Sequence, residues 1–298
     1  MSFLQQKLAR RLLAVSALGL LVMVGVMFAT SASPQPSPLH GEGAAGEAAA
    51  LTLDGHSAKE VTVGLQHAPV GSTNLKWDAK TRDLTVIIAM SGLAPDSTHP
   101  AHIHLGNCNS NGPIKYMLND VKAGNVGDGT STTTIHNVAS GIPATGWYIN
   151  IHNGPGVNAP DQFTPIACAN IKNSATSVRH DQVVCAKLGP TDAANQPAHG
   201  NAVLTLNHNT LTVVVTLDGL LPGSAHAAHI HAGSCQSQGG IAHMLNNVVA
   251  DAHGHAQVTT VIQNVQRIPG HGWYVNVHYG TDISTQTGFD PIACGNVT

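Results

Sequence analysis

The sequence predicts an all-β protein: two tandem β-sandwich domains that follow an N-terminal signal or anchor helix. A block of residues recurs once at a nearly constant offset. The apolar runs are short and rich in β-branched residues, and beyond the N-terminus no stretch keeps a 3.6-residue apolar period. Composition agrees: 42% of the 298 residues are apolar, and 31 Gly and 16 Pro punctuate the segments.

In chain order, Lys7, Arg10 and Arg11 precede an apolar run from Leu12 to Thr30 that only small residues such as Ser16, Gly19 and Gly25 interrupt. A basic start and an apolar stretch direct the chain outward. The run is long for a signal core and just enough to span a bilayer. Thr30-Ser31-Ala32 also offers small residues for cleavage. Residues 1–30 therefore read as a signal peptide or as a retained membrane anchor with its N-terminus inside. Residues 31–50 are mostly Pro, Ser, Gly and Ala, the composition of a flexible linker.

The repeat is explicit. STHPAHIHLGNC at residues 97–108 returns as SAHAAHIHAGSC at 224–235, and Gly146-Trp147-Tyr148-Ile149-Asn150-Ile151-His152 returns as Gly272-Trp273-Tyr274-Val275-Asn276-Val277-His278. Pro165-Ile166-Ala167-Cys168 returns as Pro291-Ile292-Ala293-Cys294. The copies span residues 51–172 and 178–298, joined by a linker at 173–177. Within them Leu84–Met90 and Leu211–Leu217 are β-branched-rich strands, each closed by a glycine. Thr130–Ile135, Gln257–Ile262 and Trp147–Ile151 read as further strands. Only 10% of residues are charged and the formal net charge is −3, so no basic face is available for nucleic acid.

Four of the five cysteines match between copies, which predicts one bridge per domain, Cys108–Cys168 and Cys235–Cys294. Cys185 is left over and reads as a buried, inert thiol, with an intermolecular bond as the alternative. The 19 histidines are the compositional outlier. Residues two apart on a strand face one side, so His102 and His104 project together, as do His229 and His231. His152 and His278 end the alternating strands that share a polar face with Tyr148 and Asn150, or with Tyr274 and Asn276. Two neighbouring antiparallel strands would thus aim three imidazoles at one point. Three neutral imidazoles suit Cu(II), Zn(II) or Ni(II), of which copper binds most tightly, and leave a coordination position open. About one His-x-His is expected by chance at this frequency. However, His56, His67 and His136 have no histidine counterpart, whereas His99, His102, His104 and His152 all do. His99 and His226 lie on the opposite parity and read as hydrogen-bonding struts. His243 is a candidate fourth ligand in the second copy, and His253 and His255 read as a turn.

These residues resemble two related patterns. Gly219-Leu220, His226, His229-Ile230-His231, Cys235, His278 and Ala293-Cys294-Gly295 are similar in order to the copper/zinc superoxide dismutases. Gly92-Leu93, His99, His102, His104, Cys108, His152 and Cys168 follow the same order. That resemblance implies Greek-key β-sandwiches with copper on the three histidines. Ala101-His102-Ile103-His104-Leu105-Gly106, Gly112-Pro113 and Trp147-Tyr148-Ile149-Asn150-Ile151-His152 also resemble the chordin-type CHRD domain. The departures bear on activity. No equivalent of the dismutase zinc loop follows Cys108 or Cys235, and Pro165 or Pro291 stands where the dismutases place the arginine that steers superoxide. The expectation is an exported copper-binding protein with weak dismutase-like redox chemistry or a sequestering role. Its rival is a CHRD-type surface module that binds a protein or polymer and keeps its histidines for structure.

Overall fold

The computed structural model describes residues 58–110 and 112–298, so the N-terminal signal or anchor, the linker at 31–50 and the first residues of the first copy lie outside the described residues. The described chain is almost entirely β. The first half contributes β1 (Lys59–His67), β2 (Val70–Trp77), β3 (Leu84–Ser91), β4 (Thr98–His99), β5 (Ala101–Leu105), β6 (Ile114–Met117), β7 (Val121–Ala123), β8 (Gly129–Ile135), β9 (Trp147–His152) and β10 (Pro165–Ile171). The second contributes β11 (Gln182–Leu188), β12 (His199–Asn207), β13 (Thr210–Asp218), β14 (Ala225–His226), β15 (Ala228–Ser234), β16 (Ser237–Met244), β17 (Val248–Val249), β18 (Ala256–Gln263), β19 (Trp273–His278) and β20 (Pro291–Asn296). One-turn helices α1 (Pro160–Phe163) and α2 (Gln286–Phe289) precede the last strand of each half.

Each half is a sandwich of antiparallel layers. In the first, β10-β9-β5-β6 faces β11-β2-β3-β8-β7-β4. In the second, one continuous sheet, β16-β15-β19-β20-β1-β12-β13-β18, supplies both layers. Alternation explains the packing. In β3 (Leu84, Val86, Ile88, Met90) and β13 (Leu211, Val213, Val215, Leu217) every second side chain enters the core. The bridges Cys108–Cys168 and Cys235–Cys294 are both formed. Each closes a loop of about 60 residues, which stabilises by about 4 kcal/mol in the chain-entropy model. Among the described residues no helix is long and apolar enough to cross a membrane.

The spatial units do not coincide with the sequence repeat, because the first strand of each copy is exchanged. β1 runs antiparallel to β12 from Lys59 opposite Leu206 to Leu65 opposite Gly200, and its last two residues pair with β20. β11 runs beside β2 from Gln182 opposite Trp77 to Leu188 opposite Gly71, and Gly189 bridges to Cys168. Val63 and Leu65 therefore belong to the second core, and Val184 and Leu188 to the first. Only Ala68-Pro69 separates β1 from β2. Proline cannot supply the positive φ that a type I′ hairpin turn needs at its second residue, and the chain passes on into the other sheet.

β11 also corrects the reading of Cys185. Val184 points into the core and its neighbour therefore points out, which leaves Cys185 exposed, with Asn74 Nδ2 3.0 Å from its sulfur.

Candidate metal centre

Strands β5 and β9 are direct antiparallel neighbours, with His102 opposite Asn150 and His104 opposite Tyr148. Ile103, Ile149 and Ile151 fill the core on one side of this pair, and His102, His104 and His152 gather on the other. Their ring centroids lie 4.9–5.9 Å apart. The second half repeats the arrangement on β15 and β19, with His229, His231 and His278 at 4.9–5.6 Å. In each triad the candidate ligand nitrogens all lie within 4.8 Å of one another, and all six histidines are buried.

Backbone carbonyls decide which nitrogen faces inward. His104 Nδ1 donates to Gly112 O (2.9 Å) and His152 Nδ1 donates to Phe163 O (2.7 Å). A carbonyl only accepts, so each Nδ1 carries the proton and each Nε2 presents a lone pair. Those two Nε2 atoms and His102 Nδ1 are sealed from solvent and have no hydrogen-bond partner among the described residues. Three buried, converging, unpartnered nitrogens fit a cation and are costly without one. His231 Nδ1 donates likewise to Gly239 O and His278 Nδ1 to Phe289 O, while His229 Nδ1 and His278 Nε2 lie 2.9 Å apart. Burial, reinforced by neighbouring imidazoles, holds His102, His152 and His229 at about 4 and His278 at about 3. Those four rings are therefore neutral, and able to bind a metal, at ordinary pH.

The surrounding shell positions the ligands. His99 Nδ1 donates to His152 O (3.0 Å), and His226 Nδ1 to His278 O (2.9 Å), which is the strut role read from their parity. His99 Nε2 meets Ser97 Oγ at 2.6 Å and lies 3.8 Å from Oδ1 of Asp290, a fully buried carboxyl reaching across from the second half. Tyr148 and Tyr274 stack on His104 and His231 at 5.0 Å. Phe163 stacks on His152 at 4.6 Å, whereas Phe289 tilts over His278 and stands edge-on to His231.

Some expectations need correction. Tyr148 and Tyr274, whose polar-face position suggests exposure, are buried, stacked on His104 and His231, and Tyr148 Oη meets Gly112 N in the segment between β5 and β6. His243 is not a fourth ligand: it pairs with Ile230, on the face away from the triad, and packs edge-on against Trp273. Its counterpart Tyr116 does the same on Trp147. His136 and His255 form exposed contacts with Asp83 and Asp218. Sequence reasoning also missed Phe163, Phe289 and Asp290. Phe163-Thr164-Pro165 answers Phe289-Asp290-Pro291 at the offset of the surrounding repeat, and that echo was the available signal.

The family model described as CHRD domain matches the chain twice, at residues 32–155 and 175–282. The chain belongs to the CHRD domain family. Each match contains one complete histidine triad, and each stops before the phenylalanine that covers it. No curated protein matches the chain. The two CHRD domains and their disulfides fit an extracellular protein. Both CHRD halves carry a triad that can hold a metal ion.

Proposed function

We propose that the chain is an extracytoplasmic copper-binding protein with one copper ion in each CHRD half, held by His102, His104 and His152 and by His229, His231 and His278. The observation that carries this reading is that three buried histidines in each copy bring one ligand nitrogen apiece within 4.8 Å of the others. A set of three imidazoles without a carboxylate selects copper ahead of zinc in the usual affinity order. Bound copper would supply one-electron chemistry. The protein's part is to fix the tautomers through Gly112, Phe163, Gly239 and Phe289 and to exclude bulk water with the stacked aromatic rings. No cationic side chain lines the first-half cavity, and Pro165 is part of its wall. No side-chain cation steers superoxide toward the site from a distance, so any dismutase-like rate stays far below the diffusion limit and sequestration is the principal role. The apolar run from Leu12 to Thr30 would export the chain or hold it at a membrane.

Metal analysis with Cu(II) electron paramagnetic resonance tests this. Two equivalents per chain are expected, falling to one in His104→Ala or His231→Ala and to none in the double variant. A metal content near zero in the wild type, unaltered by the double substitution, sinks the proposal.

A further inference from the structure

Two polar side chains kept in both copies stand outside the set of metal ligands. In Tyr148-Ile149-Asn150-Ile151-His152 and Tyr274-Val275-Asn276-Val277-His278 the apolar positions vary between Ile and Val, while Tyr, Asn and His stay. The asparagine lies directly across from the first triad histidine, Asn150 opposite His102 and Asn276 opposite His229. Opposed residues have Cβ atoms about 5 Å apart on one sheet face, so each amide stands beside the imidazole cluster.

Neither amide is used by the fold. Asn276 is fully buried, yet neither its Oδ1 nor its Nδ2 has a hydrogen-bond partner among the described residues. A bare buried amide costs about 1–3 kcal/mol per group, and leucine would fill the same space without that cost. Asn150 makes no side-chain hydrogen bond among the described residues either. It lines a cavity of about 290 Å³ together with His104, Tyr148, His152 and Phe163. Tyr148 Oη accepts from Gly112 N (2.9 Å), which leaves its own O–H proton free to donate. The cavity wall thus offers two kinds of spare donor, an amide N–H and a phenol O–H, beside two triad histidines, and includes no carboxylate.

We propose that Asn150, with Tyr148, forms an anion-binding subsite on the open side of the first metal centre, and that Asn276 is its enclosed counterpart in the second. The ligand class is a small, hydrogen-bond-accepting anion of two or three atoms. This rests on the metal reading of the triads, because the cation supplies the attraction that the neutral donors then orient.

Azide is the probe, titrated into the Cu(II)-loaded chain carrying His231→Ala, so that only the first centre reports. Charge-transfer absorption and paramagnetic resonance follow binding. Asn150→Leu should weaken azide binding about tenfold, the loss of a hydrogen bond to a charged group, with copper stoichiometry unchanged. Asn150→Asp should weaken it further by repulsion. The His104→Ala chain, which reports the enclosed second centre, should bind azide more weakly than the first. An azide affinity unchanged by Asn150→Leu overturns the subsite while leaving the metal reading intact. Loss of copper itself in Asn150→Leu overturns it too, since the amide would then belong to metal retention. Failure of the wild type to take up Cu(II) overturns both readings together.

Discussion

The two triads have the same donor set and the same carbonyl anchors, yet their walls differ. In the first half Phe163 lies flat on His152 and is 42% exposed, Asn150 lines an open cavity, and Tyr148 Oη holds the Gly112 amide. In the second, Phe289 leans across two imidazoles, Asn276 is sealed in, and Tyr274 Oη has no hydrogen bond within normal geometry among the described residues. The Asp120 carboxylate is felt at His102, whereas Asn247 occupies the matching position. Duplication thus preserved the ligands strictly and let the access route drift. Ligand geometry is set by strand register, which cannot change by small steps, whereas a loop wall can.

The comparison breaks most completely if the halves are separated. A chain that ends at residue 177 loses β11, and with it Val184 and Leu188 from the first core, while β1 keeps no partner. Losing that burial costs about 3–6 kcal/mol on top of the missing strand pairing. Circular dichroism and thermal melting should therefore show an unfolded or aggregated fragment. A fragment that melts cooperatively near the parent temperature would mean the exchange is dispensable.

Acid sharpens the comparison next. His99, His102, His152 and His229 are held at about 4 and His278 at about 3, against about 6.5 in an unfolded chain. Between these values the unfolded chain takes up protons that the folded chain refuses, so stability is full above about pH 6.5 and falls as pH drops toward 4. Asp290, raised by burial, acts in the opposite sense, but as one group against these five and against His67, His226, His231 and His243, which burial also lowers. The melting temperature of the metal-free chain should fall by roughly 5–10 °C between pH 6.5 and 4.5. Imidazole resonances in NMR should show His278 protonating last. A flat profile contradicts the burial argument.

The smallest effect concerns the tyrosines. Tyr148→Phe removes the acceptor for Gly112 N and should cost about 1 kcal/mol, or about 2–4 °C. Tyr274→Phe removes an unpartnered hydroxyl and should change stability by less than about 0.5 kcal/mol. Equal losses in the two variants would show that the walls are not as different as described.

Strand identity, the two disulfides and the meeting of the triad histidines were legible because each depends on local parity or on matched positions in the repeat. The strand exchange was not. β1 and β11 bury alternate residues in either sheet equally well, so the hydrophobic pattern satisfies both pairings, and only the short Ala68-Pro69 link hints at the choice. The burial of Tyr148 and Tyr274 was hidden for a related reason. Parity assigns them to the polar face, but that face packs on itself, with each tyrosine stacked on a triad histidine, and becomes a second interior. His243 failed on register: only its pairing with Ile230 shows which way it points.

Because Lys59 lies opposite Leu206, β1 leaves the ribosome long before the strand that seats it. Until residues 199–207 and 291–296 arrive, β1 is an unsatisfied edge, and its true neighbours are indistinguishable from the same segments of another molecule. Refolding at high concentration would therefore yield interlocked pairs of chains, each completing the other, with every histidine centre intact.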